Sequence, residues 1–168
     1  MINSKFLNYN DNYISDILKK TKTIAMIGLS SSWNRPSFFV AKYLLDRGYK
    51  IYPVNPKEAG KKILEQKVYE NLNQIKEKID MVDVFRKSSE IDNIANSIIS
   101  AKPQSIWLQL GIINHNIAKL AKKNKINIVM DRCPKIEYSR LSGELGWAGI
   151  NSGSIINKRR IIKPIKNL

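Results

Sequence analysis

Residues 23–48 read TIAMIGLSSSWNRPSFFVAKYLLDRG: an apolar run, one glycine, a hydroxyl-rich loop holding an arginine and a proline, then helical periodicity. The run Thr23–Leu29 has the character of a strand. Phe39, Val40, Tyr43 and Leu44 recur at i, i+1, i+4 and i+5, which places them on one helical stripe. Pro36 suits the first turn of that helix, and Gly48 suits a left-handed residue at its end.

Outward from this unit the same alternation repeats. Lys50–Val54, Met81–Phe85, Ser105–Leu110 and Asn127–Met130 read as further strands. Ile91, Ile94, Ala95, Ile98 and Ile99 make a second helical stripe, and Ile117, Leu120 and Ala121 a shorter third. Runs such as IAMIGL and SIWLQL are almost continuously apolar, as strands buried on both faces are. The expectation is an α/β fold, a doubly wound parallel sheet with helices on both faces. The segment KKILEQKVYENLNQI, residues 61–75, reads as a short extended excursion and a brief helix. Residues 1–22 read as one amphipathic helix packed on the domain through Ile14, Ile17 and Leu18. Residues 23–141 form the sheet domain, and residues 142–168, rich in glycine, serine and basic residues, an extended tail.

At 168 residues the chain fits one compact core. It has no apolar run near the roughly 18 residues of a membrane span, and its first residues are polar, so a cytoplasmic protein with no membrane partner is expected. A single cysteine, Cys133, and a single histidine, His115, give neither an internal disulfide nor a zinc-ligand cluster, and no metal is expected. There are 29 basic residues against 14 acidic, a net charge of +15, but most lysines are spread through the helices rather than gathered in a stripe. With the abundance of Lys, Ile and Asn, this reads as compositional drift rather than a nucleic-acid surface. It still favours an anionic small molecule.

In a sheet of this kind ligands bind at the carboxyl ends of the strands, where the first loop enters a helix N-terminus. Gly28 permits a tight turn and close approach of a phosphate. Ser30, Ser31 and Ser32 add hydroxyls, and Arg35 can make a bidentate contact. An ordinary turn capped by Ser or Asn34 would use the same residues. At the end of the second strand an NAD site would carry an acid for the ribose, whereas here Asn55 and Lys57 stand in PVNPKEAG. A phosphorylated ribose would meet a cation there, which points to NADP or coenzyme A. Glu58 lies nearby and weighs against this, and Pro53 and Pro56 also suit a plain turn.

The stretches IGLSSSWNRPSFFVAKYLLDRGYKIYPVNP, VDVFRKSSEI, SIWLQLGIIN and VMDRCPKIEYSRL together resemble the small stand-alone coenzyme A-binding proteins. Those are related to the CoA-binding domain of the succinyl-CoA synthetase alpha subunit. The resemblance implies a Rossmann-like fold that binds coenzyme A or an acyl-CoA at the strand ends. By position it implies Gly28, Ser30, Ser31, Arg35 and Pro36 facing the diphosphate, and Asn55, Pro56 and Lys57 beside the adenine and 3′-phosphate. Phe85 and Arg86 would form a wall, Gln109, Leu110 and Gly111 would line the pantetheine arm, and Cys133 would lie nearest the ligand's sulfur.

Other readings of these residues stay open. Phe85 also suits the core, and Arg86 and Arg132 could be solvated or paired with Asp83 and Asp131. Gln109 must find partners if buried. Trp33 could cover a ligand, while Trp107 reads as core and Trp147 as a tail anchor. The synthetase works through a phosphorylated histidine on a further domain, and His115 matches no such position. No catalytic constellation stands out, so the expectation is a binding module without catalysis of its own. Two alternatives are an NADP-dependent oxidoreductase, with Tyr43 or Tyr69 as proton donor, and a basic tail (Lys158, Arg159, Arg160, Lys163, Lys166) acting as an arm for a polyanion. A homodimer through a flanking helix or the tail is compatible with the sequence.

Overall fold

The computed structural model describes residues 8–143. Helix α1 (Asp11–Lys20) leads into β1 (Thr23–Ile27), α2 (Pro36–Asp46) and β2 (Lys50–Val54). A small hairpin, β3 (Lys62–Ile63) and β4 (Gln66–Lys67), precedes β5 (Met81–Val84) and α3 (Ser88–Ser100). The chain closes with β6 (Ser105–Leu108), α4 (His115–Lys123), β7 (Asn127–Val129) and α5 (Pro134–Ser142).

The main sheet is parallel throughout, in the order β2-β1-β5-β6-β7. Side chains alternate across it. Ile24 and Met26 of β1 join Met81 and Trp107 on the face packed by α1, α2 and α5. Ala25 and Ile27 join Val82, Val84, Ile106 and Leu108 on the face packed by α3 and α4. Apolar residues at both alternations are what two covered faces require, and this confirms the Rossmann-like α/β architecture. Because β2 and β5 flank β1 on opposite sides, the loops after β1 and β5 diverge and open a crevice at the strands' carboxyl ends.

Local details correct the sequence reading. Four of the strands end one or two residues earlier than expected, because their last residues turn into the crevice: Gly28 has φ +85°, and Gln109 C=O accepts from Ile112 N–H at 2.9 Å to close a turn. The 61–75 excursion is a β-hairpin whose two-residue turn, Leu64-Glu65, carries φ of +49° and +62°, followed by a 3₁₀ turn at Leu72–Gln74. The leading helix begins only at Asp11, where Asn10 Oδ1 accepts from Tyr13 N–H at 2.7 Å. The segments before residue 8 and after Gly143, including Trp147 and the basic cluster, lie outside the described residues. No helix among the described residues is long and apolar enough to cross a membrane.

Candidate functional site

The crevice holds a cavity of about 720 Å³. Of the residues singled out from the sequence, Gly28, Ser30, Arg35, Pro36, Asn55, Lys57, Phe85, Arg86, Gln109, Leu110 and Cys133 line it together. Ser31, Pro56 and Gly111 do not. Ser31 donates its N–H to Glu58 Oε1 at 3.1 Å, tying the loop after β1 to that after β2, and Gly111 donates its N–H to Asp131 Oδ1 at 2.7 Å, tying the loop after β6 to that after β7. Pro56 borders a second hollow of about 370 Å³ with Ile27, Val54, Leu72 and Ile94, which shares Arg86 and Glu90 with the first.

Gly28 is required by packing as well as by its φ. A Cβ there would collide with the Phe85 carbonyl, so the ends of β1 and β5 can lie this close, before their loops part, only if this residue is bare. The serine loop is largely bonded to itself. Ser30 N–H donates to Ser37 Oγ at 3.2 Å, and Ser32 N–H to Ser30 Oγ at 3.2 Å. Asn55 is a strut: its Nδ2 donates to Leu29 C=O at 2.9 Å and its Oδ1 accepts from Lys57 N–H at 3.1 Å.

What remains free is cationic. Among the described residues, the side chains of Arg35, Lys57 and Arg86 make no hydrogen bond or ion pair. Lys87 also lines the cavity, and against these four cations stand two carboxylates. Both are occupied, Glu58 by Ser31 N–H and Glu90 by Lys87 N–H at 3.1 Å. The strand order then sets a polarity across the cavity. Lys57, Arg35 and the Arg86–Lys87 pair follow β2, β1 and β5, while Gln109, Leu110, Ile112 and Cys133 follow β6 and β7. One end attracts anions, and the other is uncharged.

Beneath this second end lies a buried acid that the sequence reading did not place. Asp83 is fully buried on β5 and pairs with Gln109 (Nε2 donating to Oδ1 at 2.6 Å) rather than with Arg86. Burial pushes its carboxyl up to about 7. Cys133, only 6% exposed, stands at the N-cap of α5, and burial pushes its thiol up as well, so it rests as a thiol. Arg132 does pair with Asp131, at 3.8 Å, and with Glu137, at 3.7 Å. Phe85 is both wall and core, since it lines the cavity and packs on the α2 face. Trp107 is core, its Nε1 donating to Arg132 C=O at 2.8 Å, whereas Trp33 is exposed and does not line the cavity. His115 is exposed at the first turn of α4.

Ser37, Val40, Glu58, Lys87, Glu90 and Ile112 complete the wall; the sequence reading gave Val40 only a place on the helix stripe and Glu58 only a weight against a phosphate, and assigned the other four no role. Ser37 could have been found by continuing the buried stripe of Val40 and Leu44 back toward Pro36. Lys87 and Glu90 sit on the second loop-to-helix junction of the crevice, which repeats the role of the first. No group of three metal-ligating side chains occurs among the described residues.

Known proteins are similar to this chain in sequence and fold. The uncharacterized protein YneT of Bacillus subtilis (strain 168) is 33% identical over 126 residues, 75% of this chain and 92% of that one. A solved structure from Thermus thermophilus, cell-free ID.343, superposes with TM-score 0.76 at 33% identity, over 79% of this chain and 98% of that one. A hypothetical protein of Pyrococcus horikoshii OT3 does so with TM-score 0.74 at 34% identity, over 79% and 92%. The family model described as CoA binding domain matches residues 22–139, from the entry to β1 through most of α5, and this chain therefore belongs to the CoA binding domain family.

Proposed function

We propose that this chain binds coenzyme A, free or acylated, across the carboxyl ends of its strands and holds it without turning it over. The observation that carries the reading is the polarity of the cavity along the sheet: unpaired cations after β2, β1 and β5, uncharged lining after β6 and β7. Coenzyme A has the same asymmetry, a phosphorylated nucleotide joined to a long uncharged arm ending in a thiol. In this reading Arg35 and Arg86 take the diphosphate and Lys57 the 3′-phosphate, with Gly28, Ser30 and Pro36 against the same group. The hollow lined by Ile27, Val54, Pro56, Leu72 and Ile94 takes the adenine. Gln109 and Leu110 border the arm, and Cys133 lies toward its thiol. Ser31 and Gly111 act indirectly, holding the loops of the site through Glu58 and Asp131. A cavity of about 720 Å³ is of the size that buries most of a ligand of this class.

The same cations would accept the 2′-phosphate of NADP, so the test compares nucleotides. Thermal unfolding is followed with coenzyme A, dephospho-CoA, NADPH and NAD in parallel. A ligand at about 100 times its dissociation constant adds roughly 2.7 kcal/mol to the native state, a rise of about 5–11 °C in midpoint for a domain of this size. Coenzyme A should give the largest rise, dephospho-CoA a smaller one, and Lys57→Glu should abolish the difference between them. A rise with NADPH alone would replace this reading with the NADP one.

A further inference from the structure

Asp83 and Gln109 form a polar pair in an otherwise apolar layer. Asp83 is flanked in register by Met26 of β1 and Trp107 of β6 and is 0% exposed. Its Oδ1 accepts from Gln109 Nε2 at 2.6 Å, and its Oδ2 has no hydrogen-bond partner among the described residues. A buried carboxyl with one oxygen unmatched is costly, so the strand would be better served by an apolar residue if packing were its sole task.

The pair fixes an orientation. An ionised carboxylate accepts and cannot donate, so at this separation the amide must present its N–H₂ to Asp83 and keep its carbonyl Oε1 for the cavity that Gln109 lines. We infer that Asp83 is a positioning residue, holding the Gln109 carbonyl toward the cavity as the acceptor for an N–H of an amide in the ligand's uncharged arm. This rests on the coenzyme A reading, whose ligand carries two such amides. An acid on the neighbouring strand thus selects a donor-bearing arm without touching it.

The orientation belongs to the ionised form. Burial pushes Asp83 up to about 7, and once protonated it can donate to the Gln109 carbonyl, leaving N–H₂ for the cavity. Cys133, facing it from the start of α5, is a thiol pushed up by its own burial; Met26 and Trp107 beside it carry no charge, and α2 brings Ser37 and Val40 to the cavity.

The test measures dissociation constants by calorimetry for coenzyme A and for adenosine 3′,5′-bisphosphate, which keeps the phosphorylated nucleoside and lacks the arm. At about pH 8, Asp83→Leu and Gln109→Leu should each weaken coenzyme A about tenfold, the worth of one hydrogen bond, and leave the bisphosphate unchanged. Asp83→Asn, whose Nδ2 can donate to the Gln109 carbonyl as the protonated acid does, should bind coenzyme A at about pH 8 as weakly as the wild type does once Asp83 is protonated. Equal losses for both ligands would make Asp83 merely structural and overturn the inference. Should Asp83→Leu fail to fold, the pH profile decides. Divided by that of Asp83→Asn, which cancels the ionisation of the bisphosphate's own 5′-phosphate near pH 6, the wild-type preference for coenzyme A over the bisphosphate should rise between about pH 6 and 8; a quotient level with pH overturns it. Wild-type protein that binds neither ligand would overturn the coenzyme A reading itself.

Discussion

Asp83 trades stability for its position. Its carboxyl lies near 3.8 in the unfolded chain and is pushed up to about 7 in the fold, so between those values the native state holds a proton that the unfolded chain has lost. The native state is therefore most favoured below the lower value, and that advantage disappears as pH rises through about 7, with an upper bound of about 4 kcal/mol. Asp83→Asn removes the titration. Urea unfolding of the two proteins at about pH 4.5, 6 and 8 should show the variant gaining on the wild type as pH rises and levelling off above about 7. A gain independent of pH would mean that the carboxyl is not raised. Gly28 presents the opposite case, a residue with no chemistry of its own. Gly28→Ala must hold a side chain at φ +85° and push its Cβ into a carbonyl that cannot move far, because Phe85 N–H donates to Ile27 C=O at 2.8 Å. It should destabilise the protein by about 2 kcal/mol or more, and an unchanged unfolding midpoint would contradict this.

At the scale of elements, α1 does more than bury its apolar stripe. Strand β7 is the sheet's edge, and two tyrosines bordering or within α1 occupy backbone groups that an edge leaves open. Tyr13 Oη accepts from Ile128 N–H at 3.0 Å and donates to Ile128 C=O at 3.2 Å, and Tyr9 Oη accepts from Met130 N–H at 2.8 Å. Asp11 adds an ion pair to Arg140 of α5 at 2.8 Å. Removing both hydroxyls with Tyr9→Phe and Tyr13→Phe leaves these groups unmatched. The cost should be about 1–3 kcal/mol, with faster hydrogen exchange at Ile128 and Met130 than at the matching amides of the central strand β5. Uniform exchange changes would show that the tyrosines do not guard the edge. None of this was legible in the leader, whose stripe of Ile14, Ile17 and Leu18 told that the helix packs but not where. The strands and helices of the sheet were legible because their apolar periodicity is local. The Asp83–Gln109 pair was not, since only the parallel register of β5 and β6 brings together residues 26 positions apart.

At the scale of the molecule, charge links fold to ligand. The chain carries a net +15, yet the cavity's share of it is a small surplus of cations held by three loop ends after β2, β1 and β5. These loop ends border one crevice because β2, β1 and β5 are neighbours in the sheet and the strand order reverses at β1, so the same topology that buries both sheet faces also gathers the charge. The rest of the positive charge acts at longer range. It should speed the approach of a polyanion without choosing among polyanions, whereas Lys57 should choose. Salt separates the two effects, because its screening length shrinks from about 30 Å at 0.01 M to about 10 Å at 0.1 M. Stopped-flow binding of coenzyme A should thus show an association rate that falls steeply with ionic strength, in wild type and Lys57→Glu alike. The ratio of coenzyme A to dephospho-CoA affinity should depend on residue 57 and far less on salt. If salt instead erased that ratio in the wild type, the 3′-phosphate would be sensed by the general field of the protein, and the assignment of Lys57 would fall while the cavity stood.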